Sequence, residues 1–465
     1  MKIARVKYKS HPILGDLELD FTNPNNGSIY QNVIIVGENG TGKSTILSSI
    51  SNFLNEGSFS YFDYLIYDTG AVQYKAEQIP ANTISGFHKR TDLSTGATEN
   101  VRRNGSNDAN VMRNDEKDPR YYGCVFSKAR ADYKTEKISS IKTSEVDTLK
   151  HLADSEESYT SLKQLLVDIK AQDETDYWNA NDGTHVDREV FRLTTRTYRF
   201  ECAFNDFFDS IKFKGIETAY NEKKILFSKN GNNIEIDSLS TGEKQIVYRG
   251  AYLLRNSKNI YDGTVFIDEP ELSMHPRWQK RILKYYTDLF TEGGLQKSQI
   301  FMASHSDFVV ESALERARTN NDTLVIILTN DAGDVKQTRV EGSQFVLSSI
   351  TAAEVNYWAF NIYSTDLHIA FYAEIQFLSG TTTIKACDTF IASQPEFATD
   401  AAYAKASSFT HPVSGNTTTY STLTTYVRNE IDHPTPGVVI DYDHELAVST
   451  ELMIKIVKRL KGMHP

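Results

Sequence analysis

The chain has 465 residues, of which 40% are hydrophobic and 24% charged, enough apolar material for two or three packed domains, and wholesale disorder is excluded. Fifty Lys and Arg against 61 Asp and Glu leave a net charge of −11, which argues against a surface that grips nucleic acid everywhere but leaves room for a local basic patch. The three cysteines, Cys124, Cys202 and Cys387, lie far apart without a CxxC, so a disulfide framework and a Cys-rich zinc site are ruled out.

In chain order, 3–8 and 17–21 read as strands and 33–36 as a buried strand, followed by a helix that starts near Gly42 (KSTILSSISNFL). From about 57 to 135 the chain is polar, with one strong strand signal at 121–126 (YYGCVF). Leu149, Leu152, Tyr159, Leu162, Leu165, Leu166 and Ile169 recur near the helical period and predict one or two amphipathic helices over 145–175. Strand and helix signals alternate from about 190 to 345, where a boundary is placed. Beyond it the chain turns Thr-, Ala- and Ser-rich, with helical runs at 351–378 and 448–461. The expected organisation is a domain over 1–345, carrying a helical or irregular insertion over about 57–185, and a mainly helical domain over 346–465. No fixed-period repeat or sustained heptad is present. No apolar run reaches the roughly 18 residues a membrane span needs. The amino terminus alternates like a strand instead of carrying a signal-peptide core, so the expected location is cytoplasmic.

Gly37-Glu38-Asn39-Gly40-Thr41-Gly42-Lys43-Ser44 is a complete G-x-x-x-x-G-K-S between an apolar strand and a helix. Glycines at 37, 40 and 42 let backbone N–H groups turn inward around phosphates, with Asn39 and Thr45 inside the same stretch, and the helix N-terminus adds its dipole. Lys43 suits the β- and γ-phosphates, and the Ser44 hydroxyl suits Mg²⁺. The motif therefore predicts ATP and Mg²⁺ as ligand and cofactor. Farther on, Val265-Phe266-Ile267-Asp268-Glu269 is an apolar strand ending in two acids: Asp268 stands where a carboxylate on the Mg²⁺ side is needed, Glu269 where a general base would meet the attacking water. Ser238-Leu239-Ser240-Thr241-Gly242-Glu243 precedes a helix and offers a hydroxyl and backbone donors to an anion, or simply an N-cap. Ile300 to Ser304 is a strand ending before His305, which either meets a γ-phosphate or caps the next helix.

GENGTGKS, LSTGEKQ, VFIDEPELSMHP and ASHS, in that order, resemble the ABC-type ATPase head, and more narrowly its soluble SMC-like branch. The resemblance covers roughly residues 1–340 and implies an α/β fold: a P-loop head with a mixed sheet and a helical lobe, joined to a mainly helical C-terminal domain. It implies that two heads sandwich two ATP molecules, as a homodimer or higher oligomer. Ser240 and Gly242 would then touch the γ-phosphate held by the other copy, with Asp268 supporting Mg²⁺, Glu269 as catalytic base and His305 as switch histidine. About 195 residues without heptads separate the phosphate loop from the signature, which excludes the coiled-coil chromosome and break-repair ATPases. Pro270-Glu271-Leu272-Ser273-Met274-His275-Pro276 is similar to the overcoming-lysogenisation ATPases of bacterial defence, and the loop 271–275 would face the partner subunit. One departure is the glutamine that the family carries after an early strand: none lies near Phe126 and Ser127, and Gln73, Gln78 and Gln164 are poor substitutes. A second Leu93-Ser94-Thr95-Gly96 has no hydrophobic helix after it and reads as coincidence.

In the C-terminal part, a helix through Leu423, Tyr426, Val427 and Ile431 would put Arg428 and His433 slightly more than a turn apart. Three readings stand together here. Arg428 and His433 resemble the Arg-x4–6-His motif of HEPN ribonucleases, with His433 as acid/base and Arg428 as charge stabiliser. RNEIDHP also resembles the end of PtuA-like ATPases of Septu and retron-linked anti-phage systems, whose helical domain docks a separately encoded HNH nuclease. More plainly, Arg428, Asp432 and His433 pair with one another and stop a helix before Pro434. The polar stretch with Arg102, Arg103, Arg113, Arg120, Lys128, Arg130 and Lys134 also holds Asp108, Asp115, Glu116 and Asp118; it reads either as a track for nucleic-acid backbone or as a solvated face. The function expected from all this is an ATPase that dimerises around nucleotide and senses and regulates an effector nuclease in anti-phage defence; phage is a candidate trigger, which the sequence does not identify. The alternatives are a self-contained ribonuclease and a DNA-clamping repair ATPase.

Overall fold

The structure, a computed structural model, describes residues 1–79, 86–103, 112–128, 141, 146–147, 151–153, 161–183, 185–219, 222–255, 257, 262–331, 333–341, 345–411 and 413–463. The chain forms two compact units, Met1–Thr338 and Arg339–Pro465.

The first unit is organised by a seven-stranded sheet. Its central strands are β1 (Asn32–Gly37), β2 (Cys124–Ser127), β3 (Thr264–Asp268), β4 (Gln299–Ser304) and β5 (Thr323–Asp331). Their order is β5-β1-β4-β3-β2, with Asp334–Arg339 outside β5 and His151–Ala153 outside β2. β1, β2, β3 and β4 are buried at every residue, which is why their sequences are apolar runs without alternation: a parallel sheet covered on both faces has no solvent side. β4 pairs in parallel with β1 on one side (Ser304 opposite Val36) and with β3 on the other (Ala303 opposite Asp268). The ends of β1 and β3 are therefore one strand apart, roughly 10 Å at the usual strand spacing. Helix α1 (Lys43–Glu56) follows β1 and buries Ile46, Leu47, Ile50, Phe53 and Leu54 in one cluster with Phe126, Phe266 and Phe301. Each such side chain contributes about 1.5–3 kcal/mol. Gly57, left-handed at φ 69°, ends the helix by donating to Phe53 O.

A second, six-stranded sheet begins with Lys2–Tyr8 and Glu18–Asp20 and continues through Phe62–Asp68, Gln73–Gln78, Phe87–Asp92 and Thr98–Arg102. The expectation of a helical or irregular insertion over about 57–185 is thus corrected for its first part. The strands are polar because they present one wet face while Leu65, Tyr67, Tyr74 and Ala76 enter the core. Leu93 to Gly96 is the turn between the last two strands, where Ser94 donates to Asp92. A further correction concerns 145–175. Leu152 lies in the strand His151–Ala153, paired with Val125 of β2, and helix α2 runs from Leu162 to Ala180. Leu149 and Tyr159 lie outside the described residues. Helix α3 (Arg196–Phe207), the hairpin Ile211–Ala219 with Glu222–Lys229, and helix α4 (Thr241–Leu254) complete the lobe. At its heart Arg196, 2% exposed, bonds Asp173 (2.7 Å), Asp176 (2.9 Å) and Asp147.

The second unit packs helices Ala352–Phe360, Thr365–Ser379, Ile384–Ala392, α5 (Leu423–Asp432) and Ala447–Leu460 around Leu367, Phe371, Ile375, Ile391, Leu452 and Ile456, with a hairpin of Ala404–Thr410 and Thr417–Thr422. The single helical run expected over 351–378 is two helices, because Asn361 takes a left-handed conformation (φ 52°) and caps the first. Among the described residues no helix is long and apolar enough to cross a membrane.

Candidate nucleotide site

The loop between β1 and α1 is built on glycine where a side chain cannot go. At Gly37 (φ 152°) a Cβ would stand 2.3 Å from Leu328 O of β5; at Gly42 (φ 91°) it would stand 2.4 Å from Leu14 Cδ2. Gly42 is the N-cap of α1 and supplies no side-chain hydrogen bond, so the helix presents its first amides uncapped, the arrangement that receives an anion. Asn39, Gly40 and Ser44 are exposed along this mouth and Thr45 is half-buried. Lys43 is buried, and its Nζ donates to Gly37 O (2.8 Å) and Glu38 O (2.9 Å). Burial lowers the Lys43 ammonium from its ordinary range, while the nearby Asp268, Glu269 and Glu271 oppose the shift.

The acids arrive at the same place along the sheet. Asp268, the last residue of β3, accepts a hydrogen bond from Ser44 Oγ (3.0 Å), a contact between residues 224 apart in sequence. Burial raises the Asp268 carboxyl above the usual carboxylate range, with Glu269 pushing the same way and Ser44, Arg249 and Lys43 opposing. A desolvated carboxylate beside a serine hydroxyl is a donor set that fits Mg²⁺, which takes few protein oxygens and completes its shell with phosphate and water. Among the described residues no three His, Cys, Asp or Glu side chains converge into a self-sufficient metal cluster. Glu269 sits in a left-handed conformation (φ 45°), its N–H bonded to Ala303 O (3.0 Å). Its Oε1 lies 3.3 Å from His305 Nε2. The loop phosphate donors, the two acids and the histidine therefore gather at the carboxyl ends of β1, β3 and β4 because those strands are neighbours.

Ser240 is the exposed N-cap of α4 in a capping box: its Oγ accepts from Glu243 N (3.4 Å) and its N–H donates to Glu243 Oε2 (2.8 Å), with Lys229 on the same carboxylate (2.9 Å). Gly242 is buried against Ser273, where a Cβ would meet Ser273 O at 2.8 Å.

Three side chains escaped the sequence reading. Glu271, expected in a loop facing a partner, is instead 8% exposed and turned inward: its Oε1 accepts from Ser304 Oγ (2.8 Å) and His305 N (2.8 Å). Only the later part of that loop, Ser273 and His275, is exposed. Arg249 of α4 donates to Asp268 O (3.0 Å) and Glu269 O (3.1 Å), and Gln245 Nε2 to Pro270 O (3.3 Å). None of the three glutamines considered takes the place of the one missing after β2: Gln73, Gln78 and Gln164 bond Asp68, Phe59 O and Asp168, and the β2 strand ends in the buried Ser127.

In the second unit, α5 does not join Arg428 to His433. Arg428 pairs with Asp432 (2.6 Å) and bonds Asn429 (3.2 Å), whereas His433 caps the helix through its N–H to Asn429 O (2.7 Å) and stacks on Phe409 with centroids 5.0 Å apart. In the basic stretch, Arg120 is buried on Asp118 (2.8 Å) and is a core residue, while the half-buried Arg103 lies over the Phe59 ring (5.4 Å); Arg130 and Lys134 lie outside the described residues.

A buried parallel sheet whose phosphate-loop strand and acid-ending strand flank a third strand, with an LSTGE-capped helix packed on the acid-bearing loop, is the fold of an ABC-type ATPase head. Residues 33–311 match the family described as "AAA domain, putative AbiEii toxin, Type IV TA system", and the chain belongs to this ATPase family. Septu protein PtuA of Bacillus thuringiensis is 25% identical over 338 residues, 69% of this chain and 76% of that protein. The retron Vc95 probable ATPase of Vibrio cholerae serotype O1 biovar El Tor is 27% identical over 183 residues, 37% of this chain and 32% of that protein. Among solved structures, an Smc head bound to the C-terminal winged-helix domain of ScpA superposes with a TM-score of 0.41 at 14% identity, covering 73% of this chain and 98% of that one.

Proposed function

We propose that this ATPase binds ATP with Mg²⁺ between two copies of itself and uses hydrolysis to regulate a separately encoded effector nuclease, of HNH type, in bacterial defence against phage. The observation that carries the reading is the convergence of Lys43, Ser44, Asp268, Glu269 and His305 from three neighbouring strand ends, with Ser44 bonded to Asp268. Lys43 would leave the carbonyls of Gly37 and Glu38 to meet the β- and γ-phosphates. Ser44 and Asp268 would hold Mg²⁺, which supplies charge neutralisation to the phosphates. Glu269 would take a proton from the attacking water as its oxygen bonds the γ-phosphorus and the bond to the β–γ bridging oxygen breaks. His305, a neighbour of Glu269, would donate to the γ-phosphoryl oxygens. Ser240 and the buried Gly242 at the exposed tip of α4 favour a dimer, since that tip is open to a phosphate from a second chain.

Similarity to Septu protein PtuA and a retron ATPase supports the defence setting; in this reading the second unit would be the domain that docks the nuclease. The ribonuclease alternative gains no support from α5, where Arg428 is paired with Asp432 and His433 points to Phe409. The test is mass measurement with and without ATP and Mg²⁺ on the Glu269→Gln protein. It is expected to bind ATP, double in mass, and hydrolyse about 10²–10⁴-fold more slowly than the parent. A protein that stays single under saturating nucleotide would refute the shared-pocket reading, and normal turnover would place the base elsewhere.

A further inference from the structure

Helix α4 carries more than the signature at its tip. Gly242, Gln245 and Arg249 follow one another at intervals of three and four residues and so share one face of the helix. Every one of them meets the loop that leaves β3. Arg249 spans two successive carbonyls, Asp268 O at 3.0 Å and Glu269 O at 3.1 Å. Gln245 takes the next, Pro270 O at 3.3 Å, and Gly242 lies against Ser273 O. Both polar side chains are buried, at 0% and 1% exposure. An arginine sealed in the core with no carboxylate ion pair among the described residues is a costly choice for helix packing, where leucine or methionine would serve. What it accomplishes here is local: it clamps the peptide that holds Glu269 in its left-handed conformation, which an L-residue adopts only when neighbours enforce it.

The clamp also has a direction. From Ser240 to Arg249 is nine residues, about 13 Å along the axis of a helix. The helix is held stiffly: Tyr285 OH donates to Ile246 O (2.9 Å), and a Cβ at Gly250 would stand 2.1 Å from that hydroxyl. A displacement at the tip therefore reaches the Glu269 peptide without being absorbed on the way.

We propose that Arg249 and Gln245 are positioning residues that couple the tip of α4 to the catalytic loop, so that contact between Ser240 and a triphosphate on a second copy sets the aim of Glu269 in the first. This rests on the dimer reading above, and it assigns to two side chains the link by which each site senses the other.

The test uses the full chain with Arg249→Lys, which keeps the charge but cannot bridge two carbonyls, with Arg249→Met, and with Gln245→Leu. Binding of a fluorescent ATP analogue is expected to stay within about threefold of the parent, because neither side chain touches the phosphate loop, whereas kcat per bound nucleotide falls about 100-fold with KM unchanged. Hydrogen exchange supplies the coupling readout: ATP with Mg²⁺ protects 240–245 and 268–273 together in the parent, and only 240–245 in Arg249→Lys. Should Arg249→Met fail to fold, Arg249→Lys and Gln245→Leu carry the same test. Parent-like kcat in those two, or loop protection that still follows the tip, overturns the inference. A parent that binds ATP yet never dimerises sinks the shared-pocket reading instead and removes the long-range half of this one; the kcat loss still decides whether Arg249 positions Glu269.

Discussion

Gly37→Ala and Gly42→Ala look alike in the motif and differ in the structure. At both, alanine must adopt a positive φ, a strain of about 1–3 kcal/mol. At Gly42 the obstacle is Leu14 Cδ2, the free end of a side chain that can rotate away for about 1 kcal/mol. At Gly37 the obstacle is Leu328 O, backbone of β5 directly opposite in the ladder, so relief requires prying β1 from β5 at their last rung. Such overpacking against a rigid neighbour adds about 1–3 kcal/mol. The expected losses are therefore roughly 4 kcal/mol for Gly37→Ala and roughly 3 kcal/mol for Gly42→Ala. At about 2 °C per kcal/mol for a unit of this size, they lower the melting temperature by about 8 °C and 6 °C. Calorimetry on the nucleotide-free protein reads the stabilities, and a fluorescent ATP analogue reads the site. Gly42→Ala should stay folded but bind weakly, since its Cβ stands at the uncapped amides of α1. The reasoning fails if Gly37→Ala melts no lower than Gly42→Ala.

Glu271→Ala strips the acceptor from Ser304 Oγ and His305 N–H and should cost about 1–3 kcal/mol for the groups left unpaired, with kcat falling alongside; urea denaturation and turnover measured together check it. Asp268→Asn should stabilise the nucleotide-free protein at neutral pH while abolishing Mg²⁺-dependent ATP binding. Burial raises this carboxyl in the folded state, so the ionised form costs stability at neutral pH, and that cost is relieved as pH falls toward the unfolded carboxyl's own range. Melting curves across pH should show the gain shrinking toward the acid side. His368, fully buried with neither ring nitrogen hydrogen-bonded, is lowered to about 3 by burial, with Arg428 adding to it. Its stability contribution is present above about pH 6.5 and is lost as pH falls below that, by at most about 1.4 kcal/mol per pH unit. His368→Leu should flatten this acid sensitivity in hydrogen exchange of the helix 365–379.

The parts of the head that read clearly from sequence are those whose chemistry is contiguous. The strand at 33–36 is an unbroken apolar run because both of its faces are covered, and the glycine-lysine-serine run after it serves one ligand in eight residues. Asp268 and Glu269 were visible for the same reason, at the end of a five-residue strand. Glu271 and Arg249 were not. A glutamate after Pro270 reads as loop surface, and an arginine inside a helix reads as its wet face; Glu271 is turned inward by Ser304 and His305 at the end of β4, and Arg249 by the packing of α4 on the loop after β3. The strands from 62 to 102 escaped because one-sided burial leaves polar residues at alternate positions, which mimics a disordered insertion when hairpin partners are unknown. Leu152 shares a helical period with Leu162, Leu165, Leu166 and Ile169 of α2, yet it lies in a strand that exists through pairing with Val125, a contact no local period reports. Arg428 and His433, adjacent on paper, part company because Asp432 captures the guanidinium first and the helix stops at the histidine.

Lys43 donates to the carbonyls of Gly37 and Glu38, so the loop does not present a naked cation to solvent. Any anion must outbid two hydrogen bonds before it meets the ammonium. Inorganic phosphate or a sulfate would have little to offer in exchange, while a nucleotide tail bearing several charges at once would recover the loss at the amides of α1 as well. Those two bonds would thereby make the loop a filter on ligand valency, set by the chain against itself.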